Sequence, residues 1–511
     1  MQRRNEKGAA LILTMIFVAV LTILAASLLF LSQSETWAGM NYRLMTQSRY
    51  GAEAGVHAAA NFLANTATYT PAGGAGDPLT GYAYGGVSPV TAGGNPVVLG
   101  ATFNGLAANY PVSAVKTAFA TATTGSLTAG NNTVSYTAAA ELMSMRQIRL
   151  CGNLQPLTAQ VWKITSHGDV GGVRNSEVEV SALLEQQVSP CYNYAAFATG
   201  SGCGSINFNG HGIIDSYDSA NVAGGFGQYD GNLGSNGNVN TANNTVINGT
   251  FSSPDTGVGN CTAGTPDALT GNINALTGCQ TAAQQAASSC SGGAGAIIKM
   301  TQTVNFPTPT IPTTVPTPVS SVPGSKVLTP CSGICPGLTG NYGDLSYAGN
   351  NTITLMPAVS ALNVCSSGVY YINSISLSGN AQVVLAPCPA TSTTPGVYVP
   401  VIVNIVGNSQ ATPLDLSGNG ISNPSMSPAN MQFQYAGTGT VNLSGNGTAA
   451  GVLYAPNAAV NFNGNGDWYG SVITKTVNSN GNGAIHYDRR LAADLMTVNS
   501  WTLDSFNWSK F

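Results

Sequence analysis

The sequence predicts an α+β chain. A long amino-terminal helix, membrane-spanning and then amphipathic, carries a small antiparallel sheet. A large all-β domain follows, wound as a β-solenoid, with a β-sandwich as the alternative. Three observations carry this reading. The run from Ala9 to Leu31 is apolar and holds no charged side chain. A short strand unit ending in Ser/Asn-Gly-Asn/His recurs through the second half. Charged residues are only 7% of 511, and Gly alone supplies 62. Typical soluble domains hold about 25% charged residues, so surface polarity here falls to Asn, Ser, Thr and backbone groups.

The chain opens on MQRRNEKG, basic at Arg3, Arg4 and Lys7. At about 1.5 Å per residue, the apolar run that follows crosses a bilayer core of about 30 Å. Basic flanks hold that end in the cytoplasm, so the rest of the chain is expected to be exported. The run is longer than the apolar stretch of a cleaved secretory signal, and the same helix continues beyond it. No Pro interrupts residues 32–65, Arg49 and Glu53 are four apart, and Ala recurs at 52, 54, 58, 59 and 60. A single helix over residues 9–65 is predicted.

Residues Gly8-Ala9-Ala10-Leu11, Ser34-Glu35, Asn41-Tyr42-Arg43 and Ala52-Glu53-Ala54-Gly55 form an ordered series. This stretch, 8–56, resembles the PilX-type amino terminus of minor pilins. The resemblance implies a leader cut by prepilin peptidase between Gly8 and Ala9, assembly with other pilin subunits through the helix, and an antiparallel sheet packed on its second half. It also implies a location first in the inner membrane as a single-pass protein and then outside the cell in a pilus. One departure stands out: major pilins carry Glu at the fifth mature position, and here that position is Leu13. A chain lacking this carboxylate is poorly suited to neutralise a neighbour's buried amine, which favours a tip or low-copy place.

The predicted order is a leader at 1–8, a membrane span at 9–31, a pilin-like helix and sheet module at 32–190, a repeat domain at 191–490 and a terminal cap at 491–511. Residues 66–140 read as loops with weak strands. Residues 159–188 read as a hairpin, with Gly168 and Gly171-Gly172 marking its turn. His167 and Asp169 are expected as exposed turn residues.

The repeat copies are INFNGHG (206–212), ISLSGNA (375–381), LDLSGNG (414–420), VNLSGNG (441–447), VNFNGNG (460–466) and the degenerate VNSNGNG (477–483). Alternation turns Val441 and Leu443 inward and Asn442 and Ser444 outward. The unit's Gly recurs at Gly418, Gly445, Gly464 and Gly481, a near-regular interval. Such spacing suits stacked rungs that bury their apolar faces against each other, with Asn ladders at the turns. Two insertions are expected: a disulfide-tied excursion at 252–300 and a Pro-rich linker or strut at 306–323. The ten Cys all follow the apolar run and suit an oxidising compartment. The segment 451–491, with IIDSYDS (213–219), resembles a poorly characterised β-rich domain found behind PilX-like amino termini.

Catalysis is not expected. Residues 192–484 contain neither Glu nor Arg, whereas glycoside hydrolysis needs paired carboxylates. Asp215 and Asp218 are weak calcium candidates, since calcium takes six to eight oxygens. Cys331 and Cys335 lack a partner pair for zinc. His486-Tyr487-Asp488-Arg489-Arg490 reads as a terminal cap or interface. No cofactor motif and no basic stripe for nucleic acid is present. The expected function is a minor subunit of a type IV pilus-like filament, structural and adhesive. The alternative is a membrane-tethered adhesin outside any filament, binding glycans on an aromatic platform such as Trp468-Tyr469.

Overall fold

The computed structural model describes residues 6–510 apart from 66, 70–76, 101–104, 130–131, 152–156, 172–174, 243, 263–266, 312–323, 331–340, 445–448 and 465. The chain forms two units. One is Met1–Gln147 with Leu157–Gln187 and Asn499–Phe511; the other is Ile148–Pro156 with Val188–Val498.

The first unit is built on one unbroken helix, Glu6–Ala64, of 59 residues, about 88 Å long. Side chains 9–43 are exposed along its first part. Beyond that, Ser48, Ala52, Val56, Ala59 and Leu63 recur on one face and are buried, as helical spacing requires. They pack on a sheet whose strands run in the order Val98–Leu99, Asn132–Leu150, Leu495–Lys510, Ser176–Pro190 and Leu157–Val170, with Thr124–Ala129 beside Asn132–Leu150. The predicted hairpin is there: Leu157–Val170 and Ser176–Pro190 pair antiparallel from Val161↔Glu185 to Val170↔Ser176. Fully buried Trp162 lies edge-on to Tyr69 at 6.1 Å.

Helix and sheet approach closely through glycines. A Cβ on Gly168 would lie 2.0 Å from the Ser48 carbonyl oxygen, and one on Gly51 would lie 2.4 Å from Val134 Cγ1. Gly168 is therefore a packing residue inside a strand rather than part of the turn. The region read as loops also contains a helix, Ser113–Ala122, pinned by buried Phe119. Its Ala/Thr composition gave little apolar periodicity to read.

The carboxy-terminal tail departs from expectation. Leu495–Lys510 is an internal strand of the six-stranded sheet, and Trp501 and Leu503 pack on the first unit's core. Only its start stays with the second unit, where Leu491 and Leu495 are buried in the core; from Asn499 it belongs to the first unit, because a long strand satisfies its backbone by pairing on both sides.

The second unit is a three-faced parallel β-solenoid. On one face, Ile375, Leu414, Val441, Val460, Val477, Ile206, Val239 and Leu269 stack in register. These include the first apolar residue of every repeat copy. Parallel pairing excludes the β-sandwich, whose sheets are antiparallel. A second face stacks Val401–Ile405, Met431–Tyr435, Val452–Leu453, Val472–Thr474, Ala196–Ala198, Leu233–Ser235, Phe251–Ser253 and Ile297–Lys299. On the third, Ile213–Tyr217 lies between Ala484–Asp488 and Val246–Ile247.

Spatial order is not chain order. The first rung, 196–217, sits in the interior of the stack, between the last rung (471–488) and the second (233–247). The start of the Pro-rich segment runs back across the rungs as a strut. Val304 exchanges two 2.8 Å bonds with the Asn236 side chain, Phe306 packs on Phe197 at 4.9 Å, and the Tyr454 hydroxyl donates to the Pro307 carbonyl at 2.6 Å. Its remainder, 312–323, lies outside the described residues, as does the Cys331–Cys335 motif.

The expected Asn ladders are present. Asn461 Nδ2 donates to Asn442 at 3.2 Å, Asn478 to Asn461 at 3.3 Å, Asn480 to Asn463 at 3.3 Å and Asn209 to Asn480 at 2.9 Å. At the adjoining corner Gly464 has φ 98°. Gly481 is needed for a different reason: its Cβ would collide with the Gly464 carbonyl stacked beside it.

Segment 252–300 is not an excursion. It supplies the rung strands Phe251–Ser253, Leu269–Gly271 and Ile297–Lys299, whose short, Ser- and Gly-containing runs hid them. The helix Ala282–Ala286, closed by a capping box from Thr281 and Gln284, lies between the last two. Disulfides join Cys151–Cys191, Cys203–Cys261, Cys279–Cys290 and Cys365–Cys388.

Candidate functional site

Two features stand out: the apolar half of the helix, and a polar cluster where first and last rungs meet. The helix places Ala9 in its first turns. Glu35, Asn41 and Arg43 are exposed on it. Glu53 accepts from Arg49 at 2.8 Å. Gly55 lies against Ser166, where a Cβ would come within 2.2 Å of its Oγ. Before Gly55, the helix from Tyr42 to Tyr50 and the last strand border a cavity of about 340 Å³, lined by Tyr42, Met45, Arg49, Tyr50, Val178 and Trp508.

His167 and Asp169 are not turn residues. Both lie on the strand Leu157–Val170, and His167 bonds Glu177 at 2.6 Å and Glu179 at 2.7 Å on the neighbouring strand.

The polar cluster unites the two separate motifs. Ile213–Tyr217 pairs with Ala484–Asp488 so that Asp215 faces His486, Ser216 faces Tyr487 and Tyr217 faces Asp488. His486 Nδ1 is 2.5 Å from Asp215 Oδ1, and its Nε2 is 3.8 Å from Asp467 Oδ2. The ring is buried, with Phe226 stacked on it at 4.2 Å and Tyr469 at 4.6 Å. Arg490 donates to Asp218 at 3.0 Å, while Arg489 bonds Ser216 and lies over Tyr229. The two calcium candidates therefore take separate partners, Asp215 with His486 and Asp218 with Arg490. Among the described residues, no three His, Cys, Asp or Glu converge on one point.

Backbone donation from Ala220, then the Arg490 guanidinium, holds Asp218 below the usual carboxylate range. Burial pushes Asp230 up to about 6 against the pull of Arg489. Burial also raises Asp488, and raises Tyr469 with help from Asp467 and Asp215.

The His486–Arg490 segment is not a solenoid cap, because Ile213–Tyr217 covers its edge. Trp468 and Tyr469 are 3% and 6% exposed, too buried for a sugar platform. Sequence reasoning missed Phe226, whose Gly224-Gly225-Phe226-Gly227 setting was the available signal.

Residues 7–57 match the PilX N-terminal family model, and residues 400–494 match a domain of unknown function, DUF7305. No curated protein matches. Among solved structures, the competence-associated pilin ComZ from Thermus thermophilus aligns at 14% identity over 92% of this chain and 98% of that one. Its TM-score of 0.29 is too low to carry an argument. The PilX N-terminal match falls on the membrane-length helix, so the first tenth of the chain is similar to the amino terminus of PilX-type pilins, the pilin-like part of the molecule.

Proposed function

We propose that this chain is a minor, low-copy or tip subunit of a type IV pilus-like filament, with a structural rather than catalytic role. The observation that carries the reading is the helix: an exposed apolar half continuous with a half seated on its own sheet. An apolar face this long is stable only in lipid or against other helices. The membrane holds it before assembly and neighbouring pilin helices after. Leu13 at the fifth mature position supports a place where no further subunit must be neutralised. The solenoid, with its uncharged Asn columns, is the exported part available for contact. A free-standing glycan-binding adhesin is less well supported, since Trp468 and Tyr469 are buried. The test is Gly8→Asp in cells. The expected result is an uncut chain absent from sheared filaments; normal size and normal incorporation would overturn the reading.

A further inference from the structure

We propose that closure of the solenoid controls docking of the last strand, Leu495–Lys510, so that the first unit is completed only when the second is. Chain order is the starting point. Ser176–Pro190 pairs with Leu157–Val170 on one side and with Leu495–Lys510 on the other. Trp501 and Leu503 of that last strand pack on the first unit's core, and the Gln187 amide donates to the Thr502 hydroxyl at 3.0 Å. Further on, Phe506 meets His57 at 6.4 Å and Arg49 lies over Trp508 at 5.7 Å. Yet residues 188–498, about 310 in all, belong to the second unit and separate this strand from its partner. Until it arrives, Ser176–Pro190 has an open edge.

The folded solenoid removes that separation. Its first rung, 196–217, lies against its last, 471–488, so the chain enters and leaves the stack at the same place. There the Cys191 amide donates to the Leu495 carbonyl at 3.0 Å, and the Cys151 amide to the Met496 carbonyl at 3.1 Å. The Cys151–Cys191 disulfide ties the two donor segments together, and Leu491 and Leu495 are buried in the solenoid core. The last strand therefore starts from a fixed point beside its partner. With the solenoid open, the same strand hangs on a tether of about 310 residues. Closure entropy grows as (3/2)RT ln n, so such a tether lowers the strand's effective concentration about 5,000-fold relative to a junction of a single residue. Rungs stacked in chain order, with the first at one end and the last at the other, would not bring the two segments together. The coupling is independent of the filament reading.

The experiment is hydrogen exchange, read by mass spectrometry, on the full-length chain in detergent. Val477 is fully buried between Val460 and Ile206, so Val477→Asp is expected to open the last rung against the first. Amides in 499–509 and 176–187 are then expected to exchange about 100-fold faster or more, although no residue of the first unit is altered. Fast exchange in 471–488 with 499–509 still protected would overturn the proposal. A second series changes the tether and leaves every rung intact, and it decides the matter however Val477→Asp folds. Gly/Ser segments of about 10, 20 and 40 residues are inserted between Val498 and Asn499, and protection of 499–509 is expected to fall about 3-fold per doubling of length. Protection that does not fall, or that falls equally at every length, would contradict the coupling.

Discussion

Replacing Gly168 by Ala tests how tightly the helix is seated. The added Cβ would lie 2.0 Å from the Ser48 carbonyl oxygen and 2.4 Å from the Ala52 nitrogen. Both are helix backbone, so neither can rotate away, and the Cβ–oxygen separation must grow by 1.4 Å, from 2.0 to 3.4 Å, to restore ordinary contact. Overpacking of this kind costs about 1–3 kcal/mol. At about 2–4 °C per kcal/mol for a unit of this size, the first unit should melt about 2–12 °C lower. Gly55→Ala is the matched control. Its nearest atom is Ser166 Oγ at 2.2 Å, a hydroxyl that can turn aside, and Ala gains up to about 1 kcal/mol of helix propensity over Gly. Thermal unfolding of the full chain in detergent, followed by circular dichroism and calorimetry, reads both. If Gly168→Ala melts with the wild type, or no lower than Gly55→Ala, the close-approach argument is wrong.

Other outcomes follow from the second unit. Gly481→Ala, meeting the stacked Gly464 carbonyl, should destabilise the solenoid by about 1–3 kcal/mol, seen as a lower denaturation midpoint. Asp230 has a folded pKa raised to about 6 from 3.8. Its favourable contribution is complete below 3.8 and is lost as pH rises through 6, a change of at most about 3 kcal/mol. Asp230→Asn should therefore flatten the stability profile between pH 4 and 7, in pH-dependent urea melts. Replacing Cys365 and Cys388 together by Ser removes a crosslink 23 residues apart and should cost about 3 kcal/mol, read by melts with and without reductant.

Much of the fold was legible in local chemistry. The uncharged run and the Ala-rich stretch after it specify one helix. The alternation in VNLSGNG specifies a strand with Val441 and Leu443 inward, and the structure buries both. Stacking order was not legible. Val477 pairs with Ile206 on one side and Val460 on the other, yet any apolar repeat residue would fit against it. Nothing local distinguishes Val460, one rung back along the chain, from Ile206, at the far end of the solenoid sequence. The same blindness hid the place of Leu495–Lys510, whose alternation suits a sheet as well as a cap. The polar cluster was half legible: IIDSYDS and HYD stood out separately, and only the return of the last rung onto the first joins them.

The central claim is that the apolar helix packs among pilin helices in a filament while the solenoid stays outside. The most direct measurement is photocrosslinking in cells from a reactive residue substituted at Leu24, which is exposed on the helix, followed by analysis of sheared filaments. The account predicts crosslinks to pilin subunits in the filament fraction, in few copies per filament. A chain found only in the membrane fraction, with no pilin crosslink, would contradict it.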